Sequence, residues 1–265
     1  KITKQVDVVF LIDNMSGNVD EIEQLCHSFS NVFLKKNTHN VGFSKALNQL
    51  CNWAASEKYD WILTLNDDAR CSDNMIDEFR KYISMKRIGI VCPRIFYEGT
   101  GFEQKCSDGK EWEFIDACMT SASLTSIKAW QDVGGFDEWT FIDCVDDDFS
   151  MRLKLHDYKI VRVQNTELHH RLGNAEEVRL PFGIRLLVTR YSSMRNYYFV
   201  RNNIYYIRKY RKHISVLGKT IRLLYAEIVK LIFEENRIGT LKSIFKGIYD
   251  GFCVRVVPSK GRFKK

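Results

Sequence analysis

The chain has 265 residues, 45% of them hydrophobic, and 40 Lys and Arg against 33 Asp and Glu give it a formal charge of +7. That is enough apolar content to bury a substantial core without disulfides or structural metals. The eight cysteines (Cys26, Cys51, Cys71, Cys92, Cys106, Cys118, Cys144 and Cys253) show no Cys-x-x-Cys pair or zinc-like spacing, which excludes a disulfide scaffold and reads as reduced, packed thiols in a cytosolic compartment.

In chain order, the pattern alternates strand and helix. Val6–Ile12 reads as a strand, Val19–Ser30 as a helix, Val32–Leu34 as a strand, Phe43–Ser56 as a helix and Trp61–Leu65 as a buried strand. This alternation predicts a mostly parallel sheet with crossover helices, an α/β fold. A helix over Asn74–Met85 and a strand over Ile88–Cys92 follow, then a turn-rich region around Gly99, Gly101 and Gly109. Phe114–Cys118 and Ala122–Ile127 read as short strands, Phe149–His156 as a helix and Lys159–Val163 as a last strand that delivers His169 and His170. Helices are expected over Tyr191–Tyr210 and Val216–Glu235. No internal repeat, signal peptide or bilayer-length apolar run stands out.

Charge divides the chain. From Arg179 to Lys265 there are 20 Lys and Arg against 4 acids, a surplus of 16, so the overall +7 leaves −9 for residues 1–178. We therefore expect a catalytic domain over 1–178 and a basic helical extension over 179–265. Leu217, Ile221, Leu224, Ile228, Leu231 and Ile232 recur at helical spacing beside basic residues, a pattern that suits either a packed helix or one lying on an anionic membrane surface. Aromatic residues accompany the basic ones, but no nucleic-acid fold signature does, so nucleic acid is not an expected partner.

Two acidic clusters carry the chemistry. Asn66-Asp67-Asp68 follows the apolar strand Trp61–Leu65, at the sheet edge where open α/β folds bind ligands, and suits a divalent cation carrying a diphosphate. Gly134-Gly135-Phe136-Asp137-Glu138, then Asp143, Asp146, Asp147, Asp148 and Arg152, concentrates carboxylates where a metal, a base or a bound proton would offset their repulsion. Turn capping and a solvated acidic helix start are the competing structural readings.

These residues carry a resemblance. Asp13-Asn14-Met15-Ser16, Asn40-Val41-Gly42-Phe43 with Asn48, Leu65-Asn66-Asp67-Asp68, the run from Gly134 to Arg152, His170-Arg171-Leu172-Gly173, and Arg195-Asn196-Tyr197-Tyr198 with Arg201-Asn202 are similar, in order and spacing, to motifs of glycosyltransferase family 2. The likeness is strongest to its rhamnosyltransferase and galactofuranosyltransferase branches. It implies a GT-A fold whose first strand and helix are missing from a chain that opens near the second strand. It also implies an inverting transfer of a sugar from a nucleotide diphosphate to a cell-surface glycan, one that is lipid-linked and handled by a peripheral enzyme at the inner face of the membrane. dTDP-rhamnose is the leading donor, with UDP-galactofuranose or another UDP-hexose next.

The resemblance also implies roles. Asp68 and His170 would hold Mn2+ or Mg2+, with His169 competing for the second position. Asp13, Asn14, Asn40, Gly42, Asn48, Asn66 and Asp67 would line the nucleotide-sugar side. Asp146 would be the base, and Asp137, Asp143, Asp147 and Asp148 would lie on the acceptor side. Arg195 and Arg201 would bind phosphate through a guanidinium fork, unless they serve as ordinary ion pairs. A sugar nucleotidyltransferase, a metal-dependent nuclease and a catalytically inactive, membrane-associated relative are the alternatives. The last is motivated by Asn66 in place of an Asp and by the missing first strand.

Overall fold

A computed structural model describes residues 2–98, 103–171, 175–179, 185–189, 192–234 and 236–256. Gly99, Gly101, Leu172 and Gly173 lie outside the described residues, as do the side chains of 171–191. The chain divides into two compact units, one of Lys1–Phe141 with Val145–Arg171, the other of Ile142–Cys144 with Leu172–Ser259. The two units meet at 171/172, and three residues of the acidic segment group with the helical unit.

The first unit opens with β1 (Val9–Asp13), α1 (Val19–Cys26) and β2 (Val32–Lys36), the two strands pairing in parallel. Next comes α2 (Phe43–Ser56), whose Leu47, Cys51 and Ala54 are buried at the three- and four-residue spacing of one helix face. Phe10 of β1 stacks on Trp53 of α2 at 4.4 Å. Then follow β3 (Trp61–Thr64), β4 (Ala69–Cys71), α3 (Met75–Arg80), β5 (Ile88–Glu98), β6 (Glu103–Gln104) and β7 (Trp112–Ile115). The unit ends with β8 (Ser123–Ser126), α4 (Ile127–Val133), α5 (Val145–Leu155) and β9 (Lys159–Arg171).

The large sheet runs β3-β8-β5-β9-β4, with β6 on β5 and β7 on β9. The mostly parallel sheet expected from alternation is corrected here to a mixed one. β5 and β9 pair in parallel, but β8 inserts antiparallel between β3 and β5. All four residues of β8 are buried, so it is an interior strand despite the polar sequence Ser-Leu-Thr-Ser. The core joins α2 to Trp130 and Val133 of α4, Phe149 and Leu153 of α5, and Ile90 and Ile160 of the sheet. Truncating Phe149, which meets Phe136 at 4.2 Å between ring centroids, is expected to cost about 3–5 kcal/mol.

The second unit holds the antiparallel pair β10 (Ala175–Arg179) and β11 (Arg185–Thr189) and three helices, α6 (Ser193–Tyr210), α7 (Val216–Phe233) and α8 (Arg237–Cys253). Ser192, Ser215 and Asn236 cap them, each side-chain oxygen accepting from the backbone amide three residues on. Sequence periodicity did not predict α8, because Gly239, Gly247 and Gly251 lower its helix propensity. Two of those glycines have a packing reason. A Cβ at Gly247 would lie 2.9 Å from the Tyr197 carbonyl oxygen, and one at Gly251 2.9 Å from that of Arg201, so α8 crosses α6 backbone to backbone. Among the described residues no helix is long and apolar enough to cross a membrane.

Candidate active site

Sheet register builds the first half of the site. β4 runs antiparallel to β9 with Ala69 opposite His170, and β9 runs parallel to β5 with His170 opposite Tyr97. One row across three strands therefore carries Tyr97, His170 and Ala69, and Asp68 immediately precedes Ala69. Between Val163 and Glu167 the β9 register slips past β5 by three residues. An odd slip reverses the faces of everything downstream, and this turns His170 towards Asp68.

His170 Nδ1 lies 3.6 Å from Asp68 Oδ1, and it is buried without a hydrogen-bond partner. His169, on the opposite face of β9, is engaged elsewhere, its Nε2 2.8 Å from Glu167 Oε1 and its ring against Phe96. The geometry thus places His170, not His169, beside Asp68. Two ligand atoms about 2.1 Å from one cation lie about 3–4 Å apart, so an orphaned imidazole nitrogen facing a carboxylate fits a divalent ion. Among the described residues no group of three or more His, Cys, Asp or Glu gathers to hold a metal. A cation held by this pair would need further ligands, of the kind water and phosphate supply.

The second half is tied to the first through adjacent residues of one turn. Thr120 N donates to Asp146 Oδ1 at 3.0 Å, while Asn66 N donates to Ser121 Oγ at 3.1 Å. Thr64, at the end of β3, donates its hydroxyl to the Thr120 carbonyl at 2.5 Å and accepts from Ala122 N at 2.7 Å. Tyr97 stands beside His170. Its ring meets that of His170 at 6.1 Å, and burial together with the Asp146 carboxylate pushes its phenol up, keeping it protonated. Neither Tyr97 nor Thr120 belongs to any motif read from the sequence. The register opposite His170 was the only signal for Tyr97, and it becomes visible only once β9 is placed.

The acids of the Asp143–Asp148 run separate. Asp148 is buried and accepts from Arg152 Nε at 2.8 Å, with Arg152 Nη2 at ion-pair distance of the same oxygen, while Arg152 Nη1 donates to the carbonyls of Val133 and Gly135. Asp148, expected on the acceptor side, is here buried in an ion pair with Arg152, which in turn holds the glycine turn after α4. Asp137 caps the short turn Glu138–Thr140 by accepting from Trp139 N at 3.1 Å. Asp147 lies half-buried in the first turn of α5.

Asp143 belongs to the helical unit and lies 3.4 Å from Arg195 Nη2. Burial pushes its carboxyl up, and Arg195 opposes that shift. Asn202 Nδ2 donates to the carbonyls of Ile142 and Asp143. Arg201, expected to bind phosphate, is instead buried against the rings of Tyr198 and Tyr197 and donates to Asn202 Oδ1. The Arg-Asn pair of that motif is a support for the Ile142–Asp143 segment.

On the nucleotide-sugar side, several side chains build loops. Asp13 accepts from Met15 N and Ser16 N, and the Ser16 hydroxyl holds its carboxyl below the usual range. Asn14 donates to Asn40 Oδ1 at 2.9 Å and accepts from Val41 N at 3.0 Å, joining the loops after β1 and β2. Gly42 sits at φ 85° with Phe141 packed where a Cβ would be, so its glycine is required by the fold. Asn48 is buried with its amide saturated: it accepts from Trp130 Nε1 and Phe136 N and donates to Phe136 O and Glu138 Oε1. Gly42 and Asn48, expected on the nucleotide-sugar side, also position these loops. Asp67 and Asp68 are exposed, and Asn66 is half-buried.

Residues 1–125 match the family model described as Glycosyl transferase family 2. The dTDP-rhamnosyl transferase RfbF of Shigella flexneri is 22% identical over 242 residues, 84% of this chain and 79% of its own length. Among solved structures, GalNAc-T7 with UDP, GalNAc and Mn2+ superposes with a TM-score of 0.56 at 14% identity, over 78% of this chain but only 42% of that one. The mannosyltransferase PcManGT of Pyrobaculum calidifontis, in complex with GDP-Man and Mn2+, gives 0.54 at 11% identity over 94% of this chain and 67% of that one. S. aureus TarS 1-349 with UDP-GlcNAc gives 0.55 at 13%, over 92% of this chain and 71% of that one. The structural likenesses show the GT-A fold, and the match over residues 1–125 together with the rhamnosyl transferase relative makes the chain similar to glycosyltransferases of family 2.

Proposed function

We propose that the chain moves a sugar, rhamnose in the first instance, from a nucleotide diphosphate to a growing cell-surface glycan, with inversion at the anomeric carbon. The observation that carries this reading is the Thr120–Ser121 turn, which holds Asp146 with one residue and the Asn66–Asp68 loop with the next. A leaving-group site and a base are thereby brought to one end of one sheet.

Asp68 and His170 are the residues that would hold a divalent cation, supplying charge neutralisation for the departing diphosphate. The acceptor hydroxyl oxygen forms its bond to the anomeric carbon as the bond from that carbon to the diphosphate oxygen breaks, the electron pair leaving with the diphosphate. The hydroxyl proton passes to Asp146, whose orientation is fixed by the Thr120 amide. A single displacement from the face opposite the leaving group inverts the configuration. Tyr97, buried and kept neutral, stands edge-on to His170.

A thermal-shift screen tests the reading. dTDP-rhamnose, UDP-galactofuranose and other UDP-hexoses, each with and without Mn2+, are expected to rank with dTDP-rhamnose and Mn2+ first. At a hundredfold excess over Kd the gain is about 2.7 kcal/mol, and Asp68→Ala is expected to remove the metal-dependent part. Stabilisation by UDP-galactofuranose alone would reassign the donor. No response to any nucleotide diphosphate sugar would reject donor binding altogether.

A further inference from the structure

Helices α7 and α8 each show solvent a continuous apolar stripe. On α7, Leu217, Leu224 and Ile228 are 72%, 57% and 56% exposed; on α8, Ile238, Phe245 and Phe252 are 70%, 68% and 61% exposed. Steps of four and seven residues keep each set on one side of its helix. The inward sides are filled by other residues, Glu227 and Lys230 on α7, and Thr240, Ile244, Gly247 and Gly251 on α8. A single exposed leucine means little, but two consecutive helices that both turn their large apolar residues outward mark a contact surface.

Charge identifies the occupant. The only acids on these helices are Glu227, bonded to Lys230, and Asp250, which accepts from the Tyr197 hydroxyl at 2.6 Å. The exposed charges on the two helices are Arg222, Arg237, Lys242 and Lys246, all positive; Lys219 is half-buried on α7, and Glu234 is a half-buried acid at its C-terminal end. A second copy of this chain would bring the same positive field against itself, whereas an anionic lipid headgroup layer complements it. Neither helix is apolar enough to span a bilayer, which leaves the helices lying in the interface with their stripes among the acyl chains.

We propose that the α7 and α8 stripes, edged by Arg222, Arg237, Lys242 and Lys246, dock the chain onto an anionic phospholipid surface. Flotation of the full chain with phosphatidylcholine vesicles, with and without phosphatidylglycerol, tests this. Binding is expected only with phosphatidylglycerol and is expected to weaken severalfold in high salt. Leu224→Ser with Ile228→Ser, and separately Phe245→Ser with Phe252→Ser, should each weaken it at least about tenfold, since each pair removes two exposed apolar anchors. Lys242→Glu with Lys246→Glu should abolish the preference for phosphatidylglycerol. These positions are exposed, and an unchanged circular dichroism spectrum confirms that each variant is folded.

No flotation with phosphatidylglycerol, or flotation unaffected by both serine pairs, overturns the proposal. So does a dimer seen by light scattering that Leu224→Ser with Ile228→Ser dissociates in the absence of any lipid binding, because a second copy would then be the occupant. The assay contains no sugar nucleotide, so its failure is separable from failure of donor binding.

Discussion

Asp13, Glu113, Asp132 and Glu167, all in the unit that carries the large sheet, are held below the ordinary carboxylate range, chiefly by hydrogen bonds from Ser16, Ser107, Tyr158 and His169 respectively. In the helical unit the direction is opposite. Burial pushes Asp143 and Glu227 up, and Arg195 and Lys230 offset only part of that cost. In the first unit these four carboxylates are held towards the anionic form by hydrogen-bond donors. The other places carboxylates inside, where their work is to hold helices and the Ile142–Cys144 segment. A third arrangement is the buried Asp148 to Arg152 pair, which lies in the sheet unit but is closed to solvent.

The largest expected effect tests whether Asp146 belongs with the first of these groups. Asp146→Asn should lower transfer, measured as nucleoside diphosphate released with acceptor present, by about 10²–10⁴-fold, the usual share of a general base. Its melting temperature should change little. A drop in stability that matches the loss of activity would move Asp146 into the structural group. Next in size is Arg152→Met, which leaves Asp148 buried without its cation and frees the Val133 and Gly135 carbonyls. We expect a loss of about 3–5 kcal/mol in urea unfolding. An unchanged midpoint would show that the pair is not what fixes the glycine turn.

That sorting of acids explains what was legible in advance. α2 matches its expected range, Phe43–Ser56, because its apolar period and its start after Gly42 are both local signals. β1 to β3 are displaced by a few residues at their ends for the same reason. Asp68, Asp146 and His170 were readable as letters in familiar spacing, but the approach of His170 to Asp68 depends on the three-residue slip in β9, and the tie of Asp146 and Asn66 to one turn depends on Thr120 and Ser121, neither of which has a local sequence signature. β4 is three residues long and exists because β9 is there to pair with it. The structural role of Asp148 did have a signal, since Asp148 and Arg152 stand four residues apart on one helix, the spacing of an intrahelical ion pair. Asn48 had none: its four hydrogen bonds reach residues 82 to 90 positions away.

Lys230→Met should act more gently than Arg152→Met. Lys230 donates to Asn196 Oδ1 at 2.7 Å and to Glu227 Oε1 at 3.1 Å, and its loss strands both acceptors. Glu227 is already shifted towards its neutral form, which lowers the cost of stranding it. About 1–3 kcal/mol is the expected loss, and Glu227→Gln in the same background should recover part of it.

The smallest effect, and the most direct probe of the contrast between the two units, is their response to pH. Glu227 has a folded pKa above its unfolded 4.5, so its contribution is fully present below 4.5 and is lost as pH rises through the folded value. Asp143 behaves the same way relative to 3.8. Asp13 is the reverse: its contribution is present above 3.8 and is lost as pH falls through its lowered folded value. Acidification from neutrality towards 4.5 should therefore slow amide exchange in α6 and α7, while further acidification below 3.8 should open the β1 and β2 ends first. All five tryptophans lie between Trp53 and Trp139, so their fluorescence reports the sheet unit alone. Glu227→Gln should flatten the response of α7 and leave the tryptophan signal unchanged. If α6, α7 and the tryptophans all follow one curve, the two units do not hold their carboxylates in opposite senses, and Asp143 is then as available to a substrate as Asp146.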